Sequence, residues 1–317
     1  MNKIIVTGAS GYIGGVISLK LKDAGYNNII GIDRRPCPDH LKICFDQFIE
    51  SDFVNKTTLQ FIADTKADII IHCAGNSLVG PSMTDPEEYY HNNIVKTLSL
   101  LDTIVKHTPS TRIIFSSSAA VYGVPIMTPC DEVDPCEPIS PYGESKLAIE
   151  WFLRAYNRAY NLDYIAFRYF NVTGADTQGR HGQSPGATHI IARVLESIKN
   201  KTEFTLYGNN YETPDGTCIR DYVHVEDVAL AHIAAFDRKI PVGVYNIGTN
   251  KGVSNLEILN EAAAVTGVKF PISVKDKRPG DPAILVGKAD KFQKAAGWQS
   301  EYTLTDIVSH AWVWYNR

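Results

Sequence analysis

Tyr142 and Lys146 have the residue types and the spacing that support proton-transfer chemistry. They form a Tyr-x-x-x-Lys pair at the start of an amphipathic pattern, and residues four apart lie on one face of a helix, one turn from each other. A phenol with a pKa of about 10 is a poor base at neutral pH. Neighbouring positive charge favours the phenolate and lowers that pKa. The pair therefore predicts a general base beside a cationic partner, although the bare pattern is also common on protein surfaces.

A glycine-rich turn near the start of the chain predicts a dinucleotide site. Gly8, Gly11 and Gly14 follow a strand-like run directly and open a helical pattern. The first glycine permits a tight turn, the second lets the backbone approach a pyrophosphate, and the third allows close packing of helix on strand. The first helical amides, from Tyr12 and Ile13, would face the phosphates with the partial positive charge of a helix N-terminus.

Asp33 indicates which dinucleotide is bound. It ends the second strand-like run, 19 residues after Gly14. A carboxylate there accepts hydrogen bonds from the adenosine ribose hydroxyls and repels a 2′-phosphate, so it favours NAD over NADP. Arg34 and Arg35 follow it, and a guanidinium could accept that phosphate. Because the carboxylate at the strand tip normally decides, we expect NAD.

The elements that position these residues alternate along the first half of the chain. Apolar runs at 3–6, 28–32, 67–72, 112–116 and 164–169 are separated by helical patterns such as 12–24 and 143–160. Near-continuous apolar strands spaced by helices predict a doubly wound parallel Rossmann sheet of the α/β class. The carboxyl edge of such a sheet binds ligands, and the serines that end the run 112–116 lie there. For Ser116 and Ser117 we expect turn hydrogen bonds at the strand end.

The alternation stops after residue 171, and a loop rich in glycine and polar residues runs to about 187. We expect an NAD-binding domain at 1–172. A smaller C-terminal α/β substrate-binding domain is expected at 173–317, with some segments returning to the sheet. The second half is predicted to contain helices near 188–200 and 304–316 and a strand at 244–247. A chain of 317 residues is long enough for two such units.

Composition excludes several classes of function. Hydrophobic residues make up 44% and charged residues 21% of the chain, and the formal charge is −4, which predicts an ordinary globular protein without a basic field for nucleic acid or an anionic membrane. Six scattered cysteines form no C-x-x-C pair and have no histidine at a zinc-ligand offset, so we expect free thiols and no metal site. A strand follows the polar start at once and no apolar run could span a membrane. We expect a cytoplasmic protein without a signal peptide.

The spacing G-x-x-G-x-x-G is similar to that of the extended short-chain dehydrogenase/reductase superfamily rather than ordinary dehydrogenases. Within it, the runs 115–123, 140–146, 168–171 and 215–225 resemble the UDP-glucose 4-epimerase family. Similarity extends from residue 3 to about residue 316, and the run around Arg220 is its most specific part. The resemblance implies an NAD-dependent enzyme that interconverts UDP-glucose and UDP-galactose through a transient 4-keto sugar.

The resemblance also implies roles for individual residues. Three residues would be catalytic: Tyr142, Lys146 and Ser118. Ser118 would form a hydrogen bond with the reacting sugar hydroxyl. The cofactor contacts would come from Gly8, Gly11, Tyr12, Ile13, Gly14, Asp33, Arg34, Asp52, Phe53, Cys73, Ala74, Gly75, Asn92, Tyr142, Lys146 and Phe170. The UDP-sugar contacts would come from Ser118, Asn171, His189, Ile190, Thr205, Leu206, Tyr207, Arg220, Arg278, Asp281 and Leu285.

Within the UDP-sugar set, the diphosphate would lie between Asn171, the helix that starts at His189, and the forked donors Arg220 and Arg278. The edge of a strand at 205–207 would pair with uracil, and Asp281 would bind the uridine ribose. Relatives also pair the helices at 89–101 and 143–160 across a two-fold axis, so we expect a homodimer built on a four-helix bundle.

Two positions depart from the family pattern. Ser77 replaces a lysine that many relatives carry near the cofactor, and Leu285 stands at a gate where small residues suit N-acetylated sugars and tyrosine excludes them. Epimerases of UDP-N-acetylglucosamine or UDP-glucuronate therefore stay open as alternatives. A 4,6-dehydratase is disfavoured because Ala119 and Ala120 follow Ser118 where that chemistry needs an acid and a base. A non-catalytic NAD-sensing protein is a remote alternative, since the catalytic residues are intact.

Overall fold

The computed structural model describes residues 2–277 and 281–317. Its strands are β1 (Ile4–Thr7), β2 (Ile29–Asp33), β3 (Gln47–Glu50), β4 (Ile69–His72), β5 (Arg112–Ser118), β6 (Asp163–Tyr169), β7 (Asn171–Thr173), β8 (Phe204–Tyr207), β9 (Ile219–Arg220), β10 (Tyr222–His224), β11 (Gly243–Ile247), β12 (Val253–Ser254), β13 (Ile272–Lys275) and β14 (Ile284–Leu285).

Its α-helices are α1 (Tyr12–Asp23), α2 (Lys56–Thr65), α3 (Val79–Ser82), α4 (Pro86–Tyr89), α5 (Lys96–His107), α6 (Pro141–Tyr160), α7 (Ile190–Asn200), α8 (Val225–Ala234), α9 (Asn255–Thr266), α10 (Asp290–Ala296) and α11 (Leu304–Tyr315). A turn of π-helix at Tyr90–Val95 joins α4 to α5, and short 3₁₀ turns lie at Asp39–Cys44 and Ala119–Tyr122.

Within the described residues, the main sheet has seven strands in the order β11-β6-β5-β4-β1-β2-β3. Every neighbouring pair in it is parallel. The order reverses between β1 and β4, because the chain builds outward from β1 on one side and then from β4 on the other. The predicted doubly wound parallel sheet is confirmed, and this reversal is where ligands of such sheets bind.

Both faces of the sheet are covered, which explains the unbroken apolar strands. Side chains of a strand alternate between faces, and in β1 Ile4 and Val6 lie in one core while Ile5 lies in the other. The first core contains residues of α1 and α8, and the second contains residues of α5 and α6. The sheet therefore presents only its edges and strand ends to other groups.

The two edge strands of the sheet differ in how well the sequence predicts them. β3 reads Gln-Phe-Ile-Glu, with its two polar ends exposed, because it is an edge strand that has one neighbour. β11 confirms the strand predicted at 244–247; it comes from the second half of the chain and pairs with β6 at the opposite edge.

The second half of the chain supplies smaller sheets beside the carboxyl edge. They pair β10 with β7, β8 with β13, and β12 and β14 with β9. Helices α7, α9 and α11 pack on β8 around a separate core that contains Leu195, Leu259 and Ile307. The division of the chain at residues 172 and 173 stays a prediction.

Candidate active site at the carboxyl edge of the sheet

The glycine turn between β1 and α1 has no room for side chains. Gly8 has φ +72°, and a Cβ there would lie 2.8 Å from the backbone nitrogen of Ala74. A Cβ on Gly14 would lie 2.3 Å from the carbonyl oxygen of Gly8. Gly11 precedes α1 and offers no side-chain cap to the first amides, those of Tyr12 and Ile13. A bare turn below uncapped amides fits a pyrophosphate, so these five residues fit a dinucleotide.

Asp33 ends β2 beside this turn and is 8% exposed. One carboxylate oxygen accepts from the N–H of Ser10 at 3.0 Å, and the other accepts from the N–H of Arg35 at 2.9 Å. The Arg35 guanidinium lies 3.3 Å from the carboxylate, while Arg34 is exposed beside it. The backbone bonds fix the orientation of the carboxylate at the strand tip, as a ribose-binding acid requires.

Further residues that are predicted to contact the cofactor follow the ends of β3 and β4. Asp52 accepts from the ammonium of Lys96 at 2.6 Å, a partner from α5 that the sequence does not indicate. Phe53 is buried and packs edge-on against His72 at 5.0 Å between ring centroids. In the turn after β4, Ala74 donates its N–H to the Thr7 hydroxyl at 3.4 Å, which holds the segment Cys73–Gly75 against β1.

Tyr142 and Lys146 lie in the first turns of α6, where the chain has a strong helix start. Pro141 occupies the first helical position, and the Ser140 hydroxyl caps the helix by accepting from the N–H of Gly143 at 3.2 Å. Ser118 ends β5, where its hydroxyl accepts from the N–H of Ala120 at 3.1 Å, and it lies close enough to the Tyr142 hydroxyl to act on the pKa of the phenol. The structure thus brings the three predicted catalytic side chains together.

Lys146 is buried beside this pair. Its ammonium donates to the carbonyl of Ser116 at 2.8 Å and lies 4.9 Å from the Phe115 ring centroid and 5.8 Å from that of Tyr142. Burial lowers the pKa of Lys146 to about 8. Burial raises the pKa of Tyr142, and its interaction with Ser118 acts in the opposite direction. In the protein alone, burial outweighs any effect of Lys146 on the phenol, so the predicted lowering of the Tyr142 pKa requires the further positive charge of an oxidised nicotinamide ring.

The serines before Ser118 have buried partners rather than turn hydrogen bonds. Ser116 donates to the sulfur of Cys73 at 3.2 Å and accepts from the Tyr169 hydroxyl at 3.0 Å. Ser117 donates to Glu150, which forms a buried ion pair at 2.7 Å with Arg168. The expected strand-end turn was wrong for these two, because β5 lies inside the sheet and its neighbours supply the partners.

Two other predicted cofactor residues lie around this centre. Asn92, on the π-helical turn, is 9% exposed and donates to Glu88 at 3.4 Å. Phe170 is buried against Gly287, where a Cβ would lie 2.2 Å from its ring. Their contacts with a cofactor stay predictions.

The second half of the chain brings several of the predicted UDP-sugar residues to the same edge. Asn171 starts β7 and donates its N–H to the carbonyl of Asp221 at 2.9 Å. The guanidinium of Arg220, at the end of β9, pairs with Asp281 and donates to the Ile219 carbonyl at 2.8 Å. Leu285 on β14 lies in register with Arg220. Arg278 lies outside the described residues.

The predicted uracil and diphosphate segments lie on separate elements. His189 and Ile190 begin α7, whose first amides have no side-chain cap. Thr205, Leu206 and Tyr207 belong to β8, which pairs with β13 on one side. A cavity of about 530 Å³ opens at the carboxyl ends of this pair, lined by Tyr207, Asn209, Asn210, Val274, Lys275 and Asp276.

Comparison with known proteins agrees with this geometry. Residues 4–248 match the NAD dependent epimerase/dehydratase family. The chain is 39% identical to the UDP-glucose 4-epimerase of Halalkalibacterium halodurans, covering 99% of this chain and 96% of that one. It superposes with a TM-score of 0.90 on the UDP-glucose 4-epimerase of Bifidobacterium longum in complex with NAD+ and UDP, at 34% identity over 99% and 98% of the chains. The UDP-Glc/GlcNAc 4-epimerase of Campylobacter jejuni gives a TM-score of 0.86 at 34% identity over 100% and 99%.

Proposed function

The chain belongs to the NAD dependent epimerase/dehydratase family, and on that premise we propose that it is an isomerase, a UDP-glucose 4-epimerase that interconverts UDP-glucose and UDP-galactose. The observation that carries the proposal is the meeting of Tyr142, Ser118 and Lys146 beside the glycine turn and Asp33. The identity to a UDP-glucose 4-epimerase over nearly the whole chain supports the same substrate.

The glycine turn, Asp33 and Lys146 would hold NAD, which when bound would supply a reversible hydride acceptor for the sugar C4. Tyr142 accepts the proton of the 4-hydroxyl as C4 is oxidised and returns it when C4 is reduced. Ser118 donates a hydrogen bond to the same oxygen, and the buried Lys146 favours the phenolate electrostatically. Oxidation and reduction cancel, so the reaction needs no second substrate.

Inversion at C4 requires the 4-keto sugar to turn while its nucleotide stays held. We expect Arg220, now paired with Asp281, and Asn171 to hold the diphosphate, and the cavity beside β8 to take the base. Anchoring at the diphosphate leaves the hexose as the part that rotates. Either face of C4 can then be presented to Tyr142.

The proposed function is tested by measuring bound cofactor and turnover together. Purified protein should release NAD when it is denatured, and it should convert UDP-galactose to UDP-glucose without added cofactor. Bound NAD without any conversion would indicate the sensing alternative. Absence of both would contradict the proposal.

Leu285 carries our prediction on substrate range. It is half-buried on β14 and touches the cluster that contains Phe170. Leucine is shorter than tyrosine, so an acetamido group at C2 should be able to enter. Leucine also fills more volume than cysteine or serine, so that entry should be hindered. We expect weaker activity on UDP-N-acetylgalactosamine than on UDP-galactose by roughly 10–200-fold, the range for steric discrimination in apolar pockets. Likeness to the Campylobacter jejuni enzyme supports looking for this activity.

Leu285→Tyr should abolish the N-acetyl activity and spare UDP-galactose turnover, because the larger ring fills the space that the acetamido group needs. The measurement is kcat/KM for both substrates with Leu285→Met as the control of similar volume. If the tyrosine variant keeps its N-acetyl activity, Leu285 is not the gate.

We also propose a homodimer formed through α5 and α6. The two helices pack side by side, with the Tyr156 hydroxyl donating to Asp102 at 2.7 Å. Trp151 on α6 is 55% exposed and Val95, just before α5, is 50% exposed, and apolar surface on adjacent helices favours a two-fold bundle with a second copy.

Light scattering at micromolar concentration should therefore give twice the mass of the chain. Trp151→Asp should shift the mass towards the monomer because it places a carboxylate in the buried bundle. Val133→Asp, at an 88% exposed loop position, serves as the control and should remain a dimer. A monomeric wild-type protein would refute the assembly.

For location, we propose the cytoplasm and a role in galactose metabolism. All six cysteines are free thiols, which supports a reducing compartment. Within residues 2–277 and 281–317, no helix has the length and apolarity that a bilayer span requires.

A further inference from the structure

A pair of histidines lies against the glycine turn that is predicted to hold the pyrophosphate. His181, in the loop that follows β7, is 6% exposed, and its Nε2 atom lies 3.1 Å from the carbonyl oxygen of Gly11. Its Nδ1 atom lies 3.0 Å from Nε2 of His40, on the 3₁₀ turn between β2 and β3. One imidazole therefore connects the cofactor turn to two other segments of the chain.

The surrounding residues leave room for this ring and hold it in place. A Cβ on Gly15 would lie 2.5 Å from Nε2 of His181, so the glycine lets the imidazole reach the Gly11 carbonyl. Trp314 on α11 packs against the imidazole at 5.9 Å between ring centroids. The same indole donates its N–H to the carbonyl of Gln183 in the loop at 2.7 Å. Helix α11 thus fixes both the loop and the ring.

The partners decide which ring nitrogens carry a hydrogen. A carbonyl oxygen only accepts, so Nε2 of His181 is the donor to Gly11. Burial lowers the pKa of His181 to about 4, so the ring is neutral near pH 7 and its Nδ1 atom accepts a hydrogen bond. Nε2 of His40 is then the donor to that atom. His40 therefore selects the tautomer in which His181 can donate to the turn.

The Gly11 carbonyl belongs to the same peptide unit as the N–H of Tyr12. A peptide unit is planar, so a hydrogen bond that fixes its oxygen also fixes the direction of its N–H. The oxygen accepts from the N–H of Gly15 at 2.8 Å, and His181 adds a second donor. The N–H of Tyr12 lies among the uncapped first amides of α1, which are predicted to face the pyrophosphate. The imidazole therefore acts on an amide that is predicted to contact the cofactor.

We propose that His181 is a positioning residue for the cofactor: its hydrogen bond to the Gly11 carbonyl aims the N–H of Tyr12 at the pyrophosphate. His40 fixes the tautomer that makes this bond. The inference rests on the proposed function, because NAD must stay bound while the sugar is oxidised and reduced. His181 comes from the second half of the chain, so retention of NAD depends on how that half packs on the first.

The test measures how fast the NAD-loaded protein releases its cofactor after desalting. His181→Leu keeps a side chain of similar size without ring nitrogens. We expect NAD release from it to be about 3–10-fold faster than from the wild type, the effect of losing one hydrogen bond. His181→Gln places an amide N–H where Nε2 lies and should restore release close to the wild-type rate. A residue that only fills space would not distinguish these two variants.

His310→Leu is the matched control. His310 belongs to a second pair of hydrogen-bonded histidines, with its Nδ1 atom 3.1 Å from Nε2 of His224. Its ring also packs against Tyr302 on the same side of α11 as His224. Because this pair does not include the donor to Gly11, the variant should release NAD at the wild-type rate.

Wild-type release from His181→Leu, or equal release from the leucine and glutamine variants, would overturn the inference. If His181→Leu does not fold, His40→Leu changes an exposed position and removes the donor that selects the tautomer. We expect faster release of NAD from that variant as well. An unchanged rate there would equally overturn the inference.

Nitrogen-15 NMR of the histidine rings tests the geometry without turnover. We expect the proton of neutral His181 on Nε2 in the wild type, and a mixture of tautomers in His40→Leu. A wild-type proton on Nδ1 would overturn the inference, because the ring could not then donate to Gly11.

Failure of the proposed function would give a different result. The wild type would retain NAD and His181→Leu would release it faster, but neither protein would convert UDP-galactose. That outcome would support the role of His181 and contradict the epimerase activity. A wild-type protein that holds no NAD would contradict both.

Discussion

Tyr142→Phe should lower the turnover of UDP-galactose by roughly 10²–10⁴ while NAD stays bound, because general acid–base catalysis contributes about that much. In the proposed mechanism the phenol oxygen moves the proton, and its neighbour Ser118 is an uncharged hydroxyl that cannot replace a phenolate. The ring itself is buried and packs edge-on against Tyr89 at 6.5 Å between centroids. Phenylalanine keeps this packing, so the loss should fall on catalysis rather than folding.

Tyr245→Phe is the matched control for that variant. Tyr245 is also buried and donates its hydroxyl to the carbonyl of Pro241 at 2.7 Å, but it lies on edge strand β11. Its variant should keep the wild-type kcat. Near-normal turnover in Tyr142→Phe, measured with equal NAD content, would contradict the assignment of the general base.

Gly14→Ala should greatly reduce the NAD that remains bound through purification. The added methyl group would lie 2.3 Å from the carbonyl oxygen of Gly8, a backbone atom, so α1 or the turn must move. Overpacking of this kind costs about 1–3 kcal/mol. If that cost falls on cofactor binding, the affinity for NAD drops by roughly 5–150-fold. The measurement is NAD per chain after denaturation.

Gly80→Ala controls for the substitution itself, because a Cβ at Gly80 would meet open space. It should retain NAD at the wild-type level. The contradicting result is a Gly14→Ala variant that retains NAD at the wild-type level and whose melting temperature NAD still raises. In that case the glycine turn does not hold the pyrophosphate.

The parts of the site that could be predicted from sequence are those encoded within short segments. The spacing of the glycines in the turn Gly8–Gly14 is enough to predict a dinucleotide site. The geometry of a helix is enough to place Tyr142 and Lys146 on one face. The apolar runs of β1, β4 and β5 likewise predict a covered parallel sheet, since both faces of each strand are buried.

What the sequence could not give are contacts between distant segments. Lys96 meets Asp52 across 44 positions, and Asn93 meets Ser145 across 52. The spacing of residues within one segment cannot predict contacts between segments this far apart. The π-helical turn that contains Asn93 also has no sequence pattern that would predict it. β3 does not stand out among the apolar runs for a different reason: an edge strand with exposed ends needs no continuous apolar run.

The central claim is that C4 of the sugar is oxidised and reduced within one active site, with Tyr142 handling the proton. It is tested most directly with UDP-galactose that carries deuterium at C4, incubated with the holoenzyme in ordinary water. The account predicts that the UDP-glucose formed keeps the deuterium at C4, because what leaves that carbon returns to it without exchange. Loss of the label to solvent, or inversion at another carbon, would contradict it.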